Sequence, residues 1–379
     1  MKKAIIVIII VCLFLSAFLL GFNYQVQTLS NEQFYLGVEV AYGDFDDLKS
    51  VVTEVKNYTN LIVLGLPEVS INSTLLDQSC DYIYQFGLNF IVLFTNTSQY
   101  HIWQNYTPAQ WIFDAKAKYG EKFVAVYRWD EPGGDQLDNS IYQEVKSASN
   151  DSDAAKKFVS VLSPEIEYYK NAGANVITAD YGLYWFDYKA GYDTVLAEFG
   201  WNNSRQHQIA LARGAAQSYG KNWGAMITWT YDREPYIESG TNLFNDMLLA
   251  YNNGAKYVVV FDYPQMESAD YKGILKQEHF DALKQFWNYS STHAPNNQNT
   301  KTAYVLPEDY GYGFRSASDT IWGIWSANSQ AYNIYADVDL LIRQKGADFN
   351  IIYDDPTLVK DTKDYYEQLI YWNGTRISP

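Results

Sequence analysis

The stretch Val124-Ala-Val-Tyr-Arg-Trp-Asp-Glu-Pro-Gly-Gly134 decides how the fold of this chain is interpreted. Its first half, from Phe123 to Tyr127, is typical of a buried strand because it is rich in β-branched and aromatic residues. Pro132 has no N–H to donate to a sheet, so strand pairing should end by Glu131. We therefore predict that two acids, Asp130 and Glu131, stand at the end of a buried strand.

Short apolar segments alternate with helical patterns along residues 34–290. Strands that are apolar on both faces and separated by amphipathic helices are typical of a parallel sheet covered by helices. Eight such units over about 260 residues match the size of a (β/α)8 TIM barrel, which we predict in preference to a doubly wound open sheet. The predicted strands are residues 34–42, 61–66, 89–94, 123–129, 175–179, 194–198, 224–230 and 257–261.

The stretch between the fourth and fifth strands has a helical pattern that ends at Ala172, and Gly173 suits the position after a helix. Within it, Ser163-Pro164 has the form of a new helix start, because serine is a favoured N-cap and proline a favoured first residue. We therefore predict a helix that is broken at this pair.

After the barrel the pattern changes. Residues 291–300 have the composition of a linker. Beyond them, strands are predicted at 303–306, 349–353 and 368–372, with a helix at 329–345. We interpret residues 301–379 as a small C-terminal Rossmann-like α/β domain.

The N-terminus carries a hydrophobic segment at residues 4–22, which is long enough to span a bilayer. No convincing signal-peptidase site precedes Asn23. We therefore predict an uncleaved transmembrane signal anchor, with residues 1–3 in the cytoplasm, a stalk at 23–33, and the remainder outside the cytoplasm because the lysines lie on the N-terminal side. Secretion after signal cleavage is the alternative. Eight Asn-x-Ser/Thr sequons fit an extracytoplasmic glycoprotein.

The composition limits the classes of partner. The formal charge is −16 and aromatic residues make up 17% of the chain. A strongly acidic chain repels nucleic acid, so none is expected as a partner. Aromatic rings stack on the apolar faces of sugars, so a carbohydrate substrate is compatible. The four histidines lie far apart in the sequence, so we predict neither a metal site nor a cofactor.

Acidic residues end several of the predicted strands. A single acid at such a position is commonly a helix cap, but a ring of them at the mouth of a barrel favours chemistry. Aromatic and arginine side chains near the same strand ends are candidates for stacking on sugars and for orienting the acids. The acids are Glu39, Asp130, Glu131, Asp180, Glu198, Asp232 and Asp262; the neighbouring residues are Arg128, Trp129, Tyr181, Trp201, Trp229, Tyr231 and Arg233.

Glycoside hydrolysis needs two carboxyl groups that flank the scissile bond, one protonated and one ionised. At the residues above, the chain resembles the (β/α)8 glycoside hydrolases. In one large clan of them an Asn-Glu pair ends the fourth strand, its Glu being the acid/base, and a nucleophilic Glu ends the seventh. Trp129-Asp130-Glu131-Pro132 resembles that pair with Asp in place of Asn. At the seventh strand the nearest match is Asp232.

Two further resemblances remain open. In substrate-assisted hexosaminidases an adjacent Asp-Glu pair acts together, which would make Asp130 the group that orients the 2-acetamido substituent and Glu131 the acid. In other barrels the carboxylates come from strands four and six, here Glu131 and Glu198. All three resemblances imply a glycoside hydrolase that needs no cofactor. The alternative is a non-catalytic barrel that binds carbohydrate or belongs to the cell envelope.

Overall fold

The computed structural model describes residues 33–95, 106–266, 273–295, 300–358 and 365–377. The predicted transmembrane segment at 4–22 and almost all of the predicted stalk lie outside these residues. Within the described part of the chain, every helix is too short or too polar to cross a membrane.

Eight parallel strands close into a barrel in which spatial order follows sequence order. The last strand pairs with the first, for example Val259 with Gly37, and this pairing closes the sheet. The predicted (β/α)8 barrel is therefore confirmed. Its strands are β1 (Tyr35–Ala41), β2 (Leu61–Gly65), β3 (Asn89–Phe94), β4 (Phe123–Arg128), β5 (Val176–Asp180), β6 (Thr194–Phe199), β7 (Asn222–Ile227) and β8 (Tyr257–Asp262).

Helices surround the barrel, and several begin at a side-chain cap that the sequence predicts. Asp44 accepts a hydrogen bond from the N–H of Asp47, and Ser204 accepts one from the N–H of His207, so each satisfies a free amide of the first turn. The helices are α1 (Phe45–Val55), α2 (Pro67–Ser70), α3 (Ser73–Tyr84), α4 (Pro108–Tyr119), α5 (Pro132–Asn139), α6 (Gln143–Lys146), α7 (Asp151–Asn171), α8 (Tyr184–Ala190), α9 (Arg205–Ser218), α10 (Gly240–Asn252) and α11 (Gln277–Ser290).

The helix break predicted at Ser163-Pro164 is wrong, because α7 runs through both residues. The hydroxyl of Ser163 donates to the carbonyl of Val159 one turn earlier and to that of Ala190. It therefore bonds backward along the helix and to a neighbouring element instead of capping a new helix. The apolar face of α7 continues on both sides of the proline, and its burial outweighs the lost backbone hydrogen bond.

The interior of the barrel is filled by side chains, so the barrel is a packed core and not a pore. Leu61, Ile91, Tyr127, Leu196 and Val259 belong to this buried cluster, and each comes from a different strand. The strand-end acids lie at one end of this packed interior. The buried side chains of the barrel therefore lie below their carboxyl groups.

A second, four-stranded sheet follows the barrel, in the order β10-β9-β11-β12. β9 pairs in parallel with both β10 and β11, whereas β12 is antiparallel to β11. The small α/β unit therefore lies where the sequence predicts it, while its boundary at 291–300 stays a prediction. The elements are β9 (Thr302–Leu306), α12 (Ser329–Lys345), β10 (Asn350–Tyr353), β11 (Gln368–Tyr371) and β12 (Arg376–Ile377).

The second sheet packs on α9 of the barrel. The buried guanidinium of Arg213 donates to the side-chain oxygen of Asn350 at 2.7 Å and to the carbonyl oxygen of Phe349 at 3.0 Å. At the next residue, Gly214, any side chain would overlap the backbone carbonyl of Ile351. The close approach of helix and strand therefore requires a glycine at this position.

We predict that Gly214→Ala lowers the free energy of unfolding by about 1–3 kcal/mol, because the added methyl group must push α9 away from β10. Helix propensity alone predicts the opposite sign, since alanine favours a helix over glycine by about 1 kcal/mol. Urea denaturation measures the difference. Ser218→Ala, one turn further along α9, is the matched control and should change the stability little. A more stable Gly214→Ala protein would contradict the packing described here.

Candidate active site

Four acids from three barrel strands line one cavity of about 170 Å³ at the carboxyl ends of the strands. Glu39 comes from β1, Asp130 and Glu131 follow β4, and Glu198 comes from β6. Glu39 and Glu198 are 5% and 4% exposed, whereas Asp130 is reached by solvent through the barrel mouth. The remaining lining residues are Tyr42, Trp201, Met226, Thr228, Trp229 and Phe261.

The turn that carries the acid pair has an unusual backbone. Trp129 and Glu131 have φ angles of 56° and 51°, a left-handed conformation that side-chain-bearing residues rarely adopt. Strand β5 holds this turn in place, because the N–H of Glu131 donates to the carbonyl of Ala179 at 3.0 Å and the hydroxyl of Thr178 donates to the carbonyl of Trp129 at 2.5 Å. Strained residues of this kind cluster at functional sites.

Glu131 and Glu198 line the same cavity, and each carboxyl group influences the pKa of the other. Two ionised carboxylates offer only acceptors, so a proton on one of them favours their contact. Burial, and then the charge of Asp130, raise the pKa of Glu131 to about 7. Burial, and then the charge of Glu131, raise the pKa of Glu198 well above its ordinary value. The pair therefore retains a proton near neutral pH.

Two more carboxyl groups crowd this pair. Burial, followed by the charges of Asp130 and Glu131, raises the pKa of Glu39 well above its ordinary value. The walls of the mouth remove part of the water around Asp130 and so raise the pKa of its carboxyl, while a hydrogen bond from the hydroxyl of Tyr127 acts in the opposite direction. Like charges this close cannot all be ionised together, and the cluster therefore favours protonated forms.

Aromatic rings form the rim above the acids. Tyr42 and Trp201 are 51% and 46% exposed, so their faces are open to a ligand. Trp229 is held by ring contacts with Tyr236 and Phe261, at centroid distances of 5.5 and 5.4 Å. Carboxyl groups beneath exposed rings suit a sugar, whose apolar face stacks and whose hydroxyls and glycosidic oxygen reach the acids.

Asp180 and Asp262, predicted as substrate-binding residues, have a different role in the structure. Both are fully buried, and their carboxylates accept hydrogen bonds from backbone amides. Asp180 binds the N–H groups of Gly133 and Gly134 at 2.6 and 2.8 Å, and thereby fixes the start of α5 directly after Glu131. Asp262 accepts from the N–H groups of Ile274 and Leu275. Both acids therefore position backbone and do not reach the cavity.

Arg128 and Trp129 also lie outside the acid cavity. Side chains alternate between the two faces of a strand. Tyr127 faces the barrel interior, so Arg128 faces the helices and donates to Glu165 on α7 at 2.6 Å. Its guanidinium covers the ring of Trp129, which in turn contacts Tyr142. The expectation that Arg128 orients the acids and that Trp129 stacks on sugar is therefore corrected.

Tyr181 is 8% exposed and packs behind the acid turn, so the expectation that it stacks on sugar is corrected too. Its ring lies against Gly134, where a side chain would collide with it. Its hydroxyl donates to Asp138 at 2.7 Å, and the guanidinium of Arg315 lies 5.8 Å from the ring centroid.

The seventh strand ends at Ile227, three residues earlier than predicted. The residues that were expected directly at its end therefore lie further along the following segment. The following segment folds back on itself, because the N–H groups of Thr230 and Tyr231 both donate to the carbonyl of Tyr236. Tyr231, Asp232 and Arg233 therefore lie on an exposed turn and do not line the acid cavity. The interpretation of Asp232 as a second catalytic carboxylate is thus not supported by its position.

Six of the predicted residues do come together in the acid cavity, namely Glu39, Asp130, Glu131, Glu198, Trp201 and Trp229. Sequence reasoning missed Tyr42 and Tyr127. Tyr42 directly follows β1, and Tyr127 precedes Asp130 by three residues on the inward face of β4. Their positions relative to the strand ends are the signal that could have identified them.

No family model and no curated protein sequence matches this chain, whereas many solved structures do. GH5_18 from Streptomyces cattleya, solved in complex with GlcNAc, has a TM-score of 0.58 at 11% identity, covering 91% of this chain and 100% of that chain. A β-glucanase from Saccharophagus degradans, in complex with cellotetraose, has a TM-score of 0.43 at 13% identity, covering 69% and 89%. A β-mannanase from the blue mussel Mytilus edulis has a TM-score of 0.42 at 11% identity, covering 70% and 93%.

The chain thus shares the fold of GH5_18. The alignment covers 91% of this chain and therefore extends beyond residues 34–290. Because one barrel fold supports many chemistries, the activity has to be argued from the carboxyl cluster itself.

The carboxyl cluster predicts how stability depends on pH. A carboxyl group whose pKa is raised on folding stabilises the folded state most at low pH. For Glu131 that contribution is complete below its ordinary pKa of 4.5 and is lost as the pH rises through about 7. We therefore predict that the melting temperature falls between pH 5 and pH 8, and that Glu198→Gln makes this fall smaller. Thermal unfolding at several pH values measures it.

Glu144→Gln is the matched control, because Glu144 is an exposed acid on α6. This variant should keep the pH dependence of the wild type. A Glu198→Gln protein whose melting temperature falls as steeply as that of the wild type would show that the carboxyl pair holds no extra proton.

Proposed function

We propose that the protein is a glycoside hydrolase in which Glu131 is the general acid/base and Glu198 is the nucleophile. The observation that carries this proposal is that Glu131 and Glu198 line one cavity at the mouth of the barrel and both have raised pKa values. A proton held near neutral pH is what a glycosidase needs to protonate a leaving oxygen. The shared barrel fold is consistent with this chemistry.

The reaction would proceed in two steps. The proton of the pair passes to the glycosidic oxygen from Glu131, while the Glu198 carboxylate attacks the anomeric carbon and the bond to the leaving group breaks. Glu131, now ionised, removes a proton from a water molecule, which attacks the same carbon and releases Glu198. We propose retention, because both carboxyl groups line one cavity of about 170 Å³, whereas inversion needs a wider gap that holds a water molecule.

The roles within the pair follow from position and pKa. Glu131 is only partly buried and lies where water enters, and a pKa of about 7 lets it both give and take a proton near neutral pH. Glu198 lies deeper, at 4% exposure. The proposed mechanism requires that, once a substrate separates the two carboxyl groups, the proton lies on Glu131 and the negative charge on Glu198.

The substrate class is a carbohydrate without a high negative charge. The formal charge of −16 would repel an acidic polysaccharide. GlcNAc is bound by the structural neighbour GH5_18, and we therefore place glycosides of GlcNAc first among the substrates to test, followed by neutral β-glucans and mannans.

We predict that Glu131→Gln and Glu198→Gln each lower kcat/KM by about 10²–10⁴-fold, because each removes one half of the carboxyl pair. Activity of the wild type should fall as the pH rises above about 7, since Glu131 then loses its proton. The measurement is a hydrolysis screen of nitrophenyl glycosides and polysaccharides with the full chain. Asp232→Asn is the matched control and should retain the activity of the wild type.

Azide separates the roles of the two glutamates. With Glu198→Gly, azide should attack in place of the nucleophile and give a glycosyl azide of inverted configuration. With Glu131→Gly, azide should attack the glycosyl-enzyme and give the retained configuration.

Loss of activity in Asp130→Asn, without azide rescue of either glutamate variant, would instead support the substrate-assisted mechanism. If the wild type binds carbohydrate without hydrolysing it, the proposed hydrolase is wrong and a non-catalytic barrel that binds carbohydrate is favoured.

We also propose that residues 4–22, which lie outside the described residues, anchor the chain in a membrane with the barrel on the extracytoplasmic side. The support is the apolar segment of 19 residues, interrupted only by Ser16, and the two lysines before it. Secretion after cleavage is the alternative.

We predict that the full chain stays in the membrane pellet after a carbonate wash and that Leu13→Arg reduces this fraction, because a central arginine opposes insertion. Leu13→Val is the control. A wild-type chain that is released by the wash, with a new N-terminus by mass spectrometry, would indicate cleavage and secretion.

A further inference from the structure

A second cavity, of about 370 Å³, opens between the segment that follows β6 and the segment that follows β7. Trp201 and Trp229 line the acid cavity, and the residues directly after them, Asn202 and Thr230, line the second one. Because each pair is consecutive in the chain, the two cavities are neighbours at the mouth of the barrel. Nothing in the chemistry of the acid pair uses the second cavity.

The wall of this cavity is built from buried polar groups. The side chain of Glu238 is 10% exposed, and one of its carboxyl oxygens lies 3.8 Å from the guanidinium of Arg205. Arg205 donates to Asp246 at 2.7 Å and to the carbonyl of Gly200 at 3.0 Å, which holds the wall in place. Within the described residues, one carboxyl oxygen of Glu238 and the hydroxyl of Thr230 have no hydrogen-bond partner. Buried polar atoms without a partner are costly, so a ligand or water must satisfy them.

The charges of the wall point to a neutral ligand. The carboxyl groups of Glu238 and Asp246 both face the guanidinium of Arg205, at 3.8 and 2.7 Å, so the positive charge of Arg205 balances one negative charge of the wall. Burial, and then the charge of Asp246, raise the pKa of Glu238 to about 8, which is consistent with a retained proton. A balanced wall with open donors and acceptors suits hydroxyl groups better than an ion.

An exposed aromatic side chain stands at this cavity too. Tyr231 lines it and is 46% exposed, as is Trp201 between the two cavities. The exposed Asn242, at the start of α10, supplies an amide on the same wall. An open ring beside hydrogen-bonding groups is the arrangement that recognises a sugar.

We infer that the second cavity binds a further sugar residue of an oligosaccharide whose neighbouring residue occupies the acid cavity. This inference rests on the proposed function for the identity of the ligand class, but its test does not require hydrolysis. It assigns Tyr231 a binding role at a position other than the acid cavity.

The test is a calorimetric titration of the full chain carrying Glu131→Gln, which prevents turnover. The probes are triacetylchitotriose, cellotriose and mannotriose, each compared with its monosaccharide. At least one trisaccharide should bind at least tenfold more tightly than its monosaccharide. Adding Tyr231→Ala or Asn242→Ala should weaken trisaccharide binding by about tenfold and leave monosaccharide binding unchanged.

Tyr332→Ala is the matched control, because Tyr332 is 48% exposed on α12 and does not line either cavity. The inference is overturned if Tyr231→Ala and Asn242→Ala behave as this control does, or if no trisaccharide binds better than its monosaccharide. A wild-type chain that shows the expected trisaccharide binding but cleaves no glycoside would overturn the proposed hydrolase and retain the second site.

Discussion

The electrostatic coupling between the buried carboxyl groups of Glu131 and Glu198 is the interaction on which the site depends. Burial and the neighbouring negative charges raise the pKa of both groups, which favours a proton on the pair near neutral pH. Removing either glutamate would leave the other among Glu39 and Asp130 without its partner. The same crowding that makes the pair useful as an acid makes the folded state less stable as the pH rises.

Much of the surrounding structure fixes the position of this carboxyl pair. Glu131 has a left-handed backbone, which the amide-to-carbonyl bond with Ala179 and the capping of α5 by Asp180 together maintain. Asp187 is fully buried near Asp180, and burial, followed by the charge of Asp180, raises the pKa of Asp187 well above its ordinary value. The strained turn is therefore fixed by the strand beside it, and substrate binding need not order it.

The sequence predicts the barrel well, because eight apolar strands separated by amphipathic helices have few other solutions. It also predicts Asp130, Glu131 and Glu198 as cavity residues, since acids at parallel strand ends meet at one mouth. It does not reveal whether such an acid points into the mouth or back toward backbone amides, as Asp180 and Asp262 do. Nor does the sequence show where β7 ends. The segment after β7 turns back through hydrogen bonds to the carbonyl of Tyr236, and such backbone bonds leave no trace in the pattern of apolar residues.

The most direct test of the central claim is a site-resolved NMR titration of the full chain labelled with carbon-13 at the glutamate carboxyl carbon, with Glu131→Gln and Glu198→Gln used for assignment. We expect both groups to titrate above their ordinary pKa of 4.5, with Glu131 near pH 7. If both groups titrate independently near their ordinary pKa of 4.5, the pair shares no proton and the proposed acid/base chemistry loses its foundation.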